Sequence, residues 1–160
     1  MGAMGFRCEG EFARSTFEAC VDTPSRKSQV LESCPVADEA LWLRHIMGFV
    51  AAFVTSAKKE RWLDLLSRRP GKILGHSHKL HSALDRRTCH VVGKETVADL
   101  RGTGVFYDFH ADGPRMVPAE LAVDAAEAGD AIFSLVPGEL AVYFFHEGEV
   151  WLCQGNPQSS

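Results

Sequence analysis

Apolar residues recur at helical spacing through the first half of the chain and in short dense runs through the second. Leu41, Trp42, His45, Phe49 and Phe53 follow Asp38, whose carboxylate suits the first position of a helix. A second helix, capped by Thr55 or Ser56, carries Trp62, Leu65 and Leu66 as its apolar stripe and ends at Pro70-Gly71. A third is expected from about Lys72 to Arg87, where Ile73, Leu80 and Leu84 keep the helical period. Beyond it the spacing changes. Cys89 to Val92 suits a short strand, and a Gly-punctuated stretch leads to Val105-Phe106-Tyr107. Pro118 suits the first turn of a helix through Leu121, Ala122, Ala125 and Ala126, with Gly129 to end it. Three β-prone runs close the chain, at 131–136, 139–146 and 149–153, separated by Pro137-Gly138 and Glu147-Gly148. Short Gly-containing gaps between such runs are hairpin turns, which makes this part an antiparallel meander. The expected fold is α+β: N-terminal helices followed by a mostly antiparallel sheet with a C-terminal β-meander.

With 160 residues the chain has room for one domain. Residues 1–36 hold no period, are rich in Ser, Thr, Glu and Arg, and contain Pro24 and Pro35. They are expected to be an extension, partly disordered or laid across the surface. The single α+β domain then runs over 37–155, and 156–160 form a tail. The longest apolar run, Ile46 to Val54, is too short to cross a bilayer, and no secretory signal opens the chain. Five cysteines without a CxxC pair suit reduced thiols in a cytoplasmic protein better than a disulfide framework.

Histidine density raises the question of a metal site. Gly75-His76-Ser77-His78-Lys79-Leu80-His81 holds three of the seven histidines. On a helix of about 100° per residue, with Ile73, Leu80 and Leu84 facing the core, His76 lies roughly 60° to one side. His81 and His78 lie roughly 80° and 140° to the other. Three imidazoles therefore cannot converge on one ion from this helix. His78 and His81, at i and i+3, can share one only if another element supplies further ligands. Cys89 and His90 face opposite sides of a strand and cannot form a nucleophile–base pair.

Charge changes the picture more. The formal net charge of −4 gives no global attraction for nucleic acid or an anionic membrane. Locally, residues 58–87 hold nine Lys or Arg against three acids, and 88–160 hold three against eleven. Lys72, Lys79 and Arg86 recur every seven residues, so on a continuous helix they form one stripe clear of the apolar face. That stripe is a candidate contact surface for an acidic protein, a phosphorylated small ligand or nucleic acid, although no recognition motif or Gly-rich phosphate cradle accompanies it. A second outcome of the split charge is self-association as a homodimer, basic half against acidic half.

The remaining candidate chemistry is Tyr107-Asp108-Phe109-His110. If extended, Asp108 and His110 share a face and can act as an acid–base pair or as ligands of a metal. The following Asp112-Gly113-Pro114 is turn chemistry, which suits a plain loop equally well. No serine stands in a nucleophile-elbow context.

Taken together, Lys59-Glu60-Arg61-Trp62, Cys89-His90-Val91-Val92 and Leu135-Val136-Pro137-Gly138-Glu139-Leu140-Ala141 resemble segments of small bacterial α+β proteins of the mobile-cassette and environmental-DNA type, over roughly residues 47 to 153. The resemblance lies in helix–strand order and implies a cytoplasmic accessory or binding role; it carries over no activity, cofactor or site residue. The expected function is an interaction or ligand-binding domain without a catalytic motif and without a cofactor. The alternatives are a metal-dependent enzyme using His78 with His81 or Asp108 with His110, and binding of nucleic acid or an acidic partner through 58–87.

Overall fold

A computed structural model describes residues 23–70, 77–109, 113–127 and 129–156. At its centre lies a six-stranded sheet, antiparallel throughout, in the order β1-β6-β5-β4-β2-β3. The strands are β1 (Cys89–Val92), β2 (Thr103–Asp108), β3 (Arg115–Pro118), β4 (Ala131–Val136), β5 (Leu140–Phe144) and β6 (Val150–Gln154). The last three form the expected meander, and helices precede it, so the fold is α+β.

Helices cover both faces of the sheet. On one side lie α2 (Glu39–Phe53), α3 (Ser56–Arg68) and α4 (Ser77–His81), packed on Val105, Tyr107, Ile132, Ala141, Tyr143, Trp151 and Cys153. On the other lie α1 (Arg26–Ser33), α5 (Lys94–Ala98), a 3-10 turn at Ala119–Leu121 and α6 (Ala122–Ala126), packed on Phe106, Ala131, Phe133, Val142, Phe144 and Val150. Successive strand side chains point to opposite faces. Covering both faces therefore makes the central strands almost continuously apolar, as in Ala131-Ile132-Phe133.

Helix α2 follows the expected reading closely. Asp38 Oδ1 accepts from Leu41 N at 2.8 Å, and Trp42, Ile46, Phe49, Val50 and Phe53 fill its buried face. Phe49 and Phe53 are fully buried, and each large apolar side chain so placed contributes about 1.5–3 kcal/mol. Halfway along, Gly48 brings the helix backbone against the β4–β5 turn, where a Cβ would stand 2.9 Å from Gly138 N. Gly138 itself has φ of 72°, a conformation that a side chain disfavours.

The packed unit begins earlier than residue 37. Ser25 caps α1 through its hydroxyl, Val30 and Cys34 are buried in the second core, and the Lys27 ammonium pairs with the Asp108 carboxylate. Val36 then bridges to Arg115 along the edge of β3. Residues 24–36 are thus part of the domain, because one apolar side and one cation of a short helix complete the second face of the sheet. The expectation for residues 1–22 lies outside the described residues, as does that for 157–160.

The helix expected over 72–87 is also corrected. Residues 71–76 lie outside the described residues, and α4 ends at His81. Past it, Ser82 Oγ donates to Lys79 O at 2.9 Å, Leu84 bridges to Val54, and Asp85 N donates to Phe53 O at 2.7 Å. Backbone pairing with the end of α2 takes the hydrogen bonds that helix continuation needs. The late helix divides as well: Pro118 ends β3, the 3-10 turn follows, and Glu127 with φ of 31° ends α6 two residues before Gly129.

Candidate functional site

The main concave surface lies on the outer side of α3. Lys58, Arg61, Leu65 and Arg68 recur at i, i+3, i+7 and i+10, so helical geometry turns them to one face. Trp62, which also borders the groove, and Leu66 are buried and fix that face outward by anchoring the adjoining side of α3 in the core. Across from it stand Lys79 of α4 and Ser82. Together with Asp64 and Arg69 these residues line a groove of about 550 Å³, within the range of small-ligand clefts.

Five cations and one carboxylate border this groove. Arg68 Nε lies 2.9 Å from Asp64 Oδ1 one helical turn away, and Lys58 Nζ donates to Ser82 O at 3.2 Å, tying α3 to the end of α4. Among the described residues no carboxylate pairs with Arg61, Arg69 or Lys79. Like charges held around a concavity without counter-charges repel one another, and an anion relieves that repulsion.

Of the expected stripe of Lys72, Lys79 and Arg86, the two described members do not share one helix, because α4 ends at His81. Lys79 lines the groove. Arg86 follows the end of α4, and its guanidinium covers the Trp151 ring at 4.1 Å from the centroid; Lys72 lies outside the described residues. A seven-residue repeat makes a stripe only on an unbroken helix, and this one breaks after His81. The groove's other cations were legible elsewhere: Lys58, Arg61 and Arg68, at i, i+3 and i+10 on the neighbouring helix, are the signal.

His81 is held in place by its surroundings. Its ring stacks on Phe145 at 4.0 Å and 8° and meets Trp151 edge-on at 5.5 Å. Nε2 lies 3.2 Å from Glu149 Oε2, which also accepts from Trp151 Nε1 at 3.0 Å. The position of His78 on α4 is described, but its side chain lies outside the described residues. Among the described residues no three His, Cys, Asp or Glu side chains gather as a metal site.

Asp108 ends β2 on the face of Phe106, 1% exposed, with Lys27 on its carboxylate. It joins α1 to the sheet. His110 lies outside the described residues. An imidazole–carboxylate pair does occur nearby in a form the sequence did not suggest: His146 Nδ1 lies 3.1 Å from Asp130 Oδ1, and His146 N donates to the same oxygen at 3.0 Å. The two partners are sixteen residues apart and meet because β4 and β5 pair antiparallel.

A buried pair, His45 and Ser134, joins α2 to β4, with His45 Nδ1 and Ser134 Oγ 2.8 Å apart. Both are buried, and no described groove reaches them. Burial, and then the charge of Arg44, hold the His45 imidazole below its ordinary value, while the contact with Ser134 acts the other way. A neutral ring is the form this site favours. The pair is a polar tie within the core.

No known protein family, curated protein or solved structure matches the chain. No described helix is long and apolar enough to cross a membrane.

Proposed function

We propose that the protein is a non-catalytic binding domain whose α3–α4 groove holds a small ligand carrying two or more phosphates. The observation that carries this reading is the set Arg61, Arg69 and Lys79, three cations without carboxylate partners among the described residues, around one ligand-sized concavity. Arginine forks match phosphate oxygens with paired hydrogen bonds, and a lysine adds a movable point charge. Leu65 offers an apolar wall for the remainder of such a ligand. An accessory role in a bacterial cytoplasm accords with this reading and rests on the dispersed cysteines and the resemblance in helix–strand order.

Calorimetry at low salt with pyrophosphate and ATP as probes, and uncharged adenosine as the control, tests it. Both phosphate compounds are expected to bind, adenosine is not, and Arg61→Ala is expected to weaken ATP by about tenfold, the scale of one charge-assisted hydrogen bond. A short oligonucleotide in the same titration separates a nucleic-acid site from a small-ligand site, since the phosphate chemistry is shared. Absence of heat from millimolar ATP and pyrophosphate at low ionic strength overturns the proposal. The metal-dependent alternative draws no support from the described residues: His81 is committed to Phe145 and Glu149, and Asp108 to Lys27.

A further inference from the structure

Two of the five cysteines face each other across β1 and β6, in direct register as Cys89 and Cys153. Gln154 N donates to Thr88 O at 3.0 Å, so 88/154 is a hydrogen-bonded position of the ladder and 89/153 is a non-hydrogen-bonded one. At such positions the Cα atoms stand about 4.5 Å apart and the side chains approach most closely. That separation lies at the short end of the range a disulfide spans. Both thiols point to the same face of the sheet, beneath Phe53 O, and both are free.

A surface hollow lies one residue away from each member of the buried pair. Thr88 Oγ1 lies 3.7 Å from Cys89 Sγ, and Thr88 is also part of the wall of a surface hollow of about 410 Å³ shared with Asp85, Arg87, Gln154, Gly155 and Asn156. β1 is the outermost strand on this side and only four residues long, so local fraying at its start would open Cys89 to that hollow.

We infer that Cys89 and Cys153 form a reversible oxidation site, closed to a disulfide by a peroxide. In the first step Cys89 ionises and its thiolate attacks one peroxide oxygen; the O–O bond breaks, Cys89 becomes a sulfenic acid, and the departing hydroxide combines with the proton released on ionisation and leaves as water. In the second, the Cys153 sulfur attacks the Cys89 sulfur, the S–O bond breaks, and a second water leaves with the Cys153 proton. Two electrons pass from the two thiols to hydrogen peroxide, giving one disulfide and two waters. The order of the two cysteines follows their places: Cys89 lies on the outermost strand, next to Thr88 and its hollow, whereas Cys153 lies on the inner strand β6, where burial pushes its thiol up. The short Cα separation favours a bond that small thiols can reopen, since strained disulfides are the more readily reduced. This inference is independent of the phosphate reading.

Treating the full chain with hydrogen peroxide, then blocking remaining thiols and mapping peptides without reductant, tests it. The expected result is a linked Cys89–Cys153 peptide, loss of two of the five thiols, and recovery of both on adding dithiothreitol. In Cys153→Ser, and in Cys153→Ala as a second variant should the serine disturb folding, dimedone is expected to label Cys89. Linkage through other cysteines, or a Cys89 and Cys153 that both remain blockable after the remaining thiols have oxidised, overturns it.

Discussion

His45 sits in the buried layer between α2 and β4, where its imidazole is held below the ordinary value of 6.5 chiefly by burial. As pH falls below 6.5 the unfolded chain takes up this proton before the folded chain does. Its contribution to stability is therefore present above that value and is lost as pH falls toward the folded one. Urea midpoints of the native chain are expected to drop between pH 7 and 5, and those of His45→Gln to drop less over the same window. Equal slopes for the two proteins would show that His45 carries no such linkage. A lone histidine on an apolar helix stripe gave the sequence reading its place in the core but not its partner. Ser134 lies eighty-nine residues away, and only the packing of α2 on β4 brings the two together.

Elements were legible where local signals agreed. Asp38 opens α2 and the two Gly-containing turns separate the last three strands, because caps and turns are decided within a few residues. They were illegible where distant pairing decided. The periodic run through Leu80 and Leu84 reads as one helix, yet Leu84 belongs to a bridge with Val54. Helix α1 was hidden because a single buried valine and a pairing lysine give no period at all. Its role makes a direct prediction. Lys27→Met removes a cation from a carboxylate that is 1% exposed and is expected to cost on the order of 3 kcal/mol in urea unfolding, and a chain starting at residue 37 is expected to lose cooperative unfolding. A truncated chain that unfolds at the native midpoint would return α1 to the status of an appendage. The close approach of α2 to the β4–β5 turn is equally testable. Gly48→Val is expected to destabilise by about 1–3 kcal/mol through overpacking, while Ala51→Val, on the exposed side of the same helix, is expected to cost well under that. Similar costs for both would place the penalty in helix propensity rather than in the contact with Gly138.

Across the whole molecule, charge is unevenly spread over the two sides of the sheet. Lys58, Arg61, Arg68, Arg69 and Lys79 crown the α3–α4 side, and Glu95, Asp99, Glu120, Asp124 and Glu127 lie on the α5–α6 side, where Arg26 and Lys27 pair with Asp124 and Asp108. The sequence showed a basic segment followed by an acidic one; the fold gathers five of the basic side chains around the α3–α4 groove and five of the acidic ones on the α5–α6 side, while Glu149 stays on the α4 side beside His81. Contact between unlike faces of two copies is then head-to-tail, which builds chains or rings rather than a two-fold dimer. Sedimentation at low salt is expected to show either monomer or assembly that grows continuously with concentration and dissolves toward 0.15 M salt, where screening acts over about 8 Å. A salt-resistant, discrete dimer would contradict that layout.

The central claim is the location of the anion site, and an amide-resolved NMR titration of the native chain with ATP tests it most directly. The predicted result is saturable shifts over residues 58–69 and 79–82, diminished by Arg61→Ala, with the amides of α5 and α6 unmoved. Shifts centred on the α5–α6 side, or no saturable shifts at low salt, would contradict it.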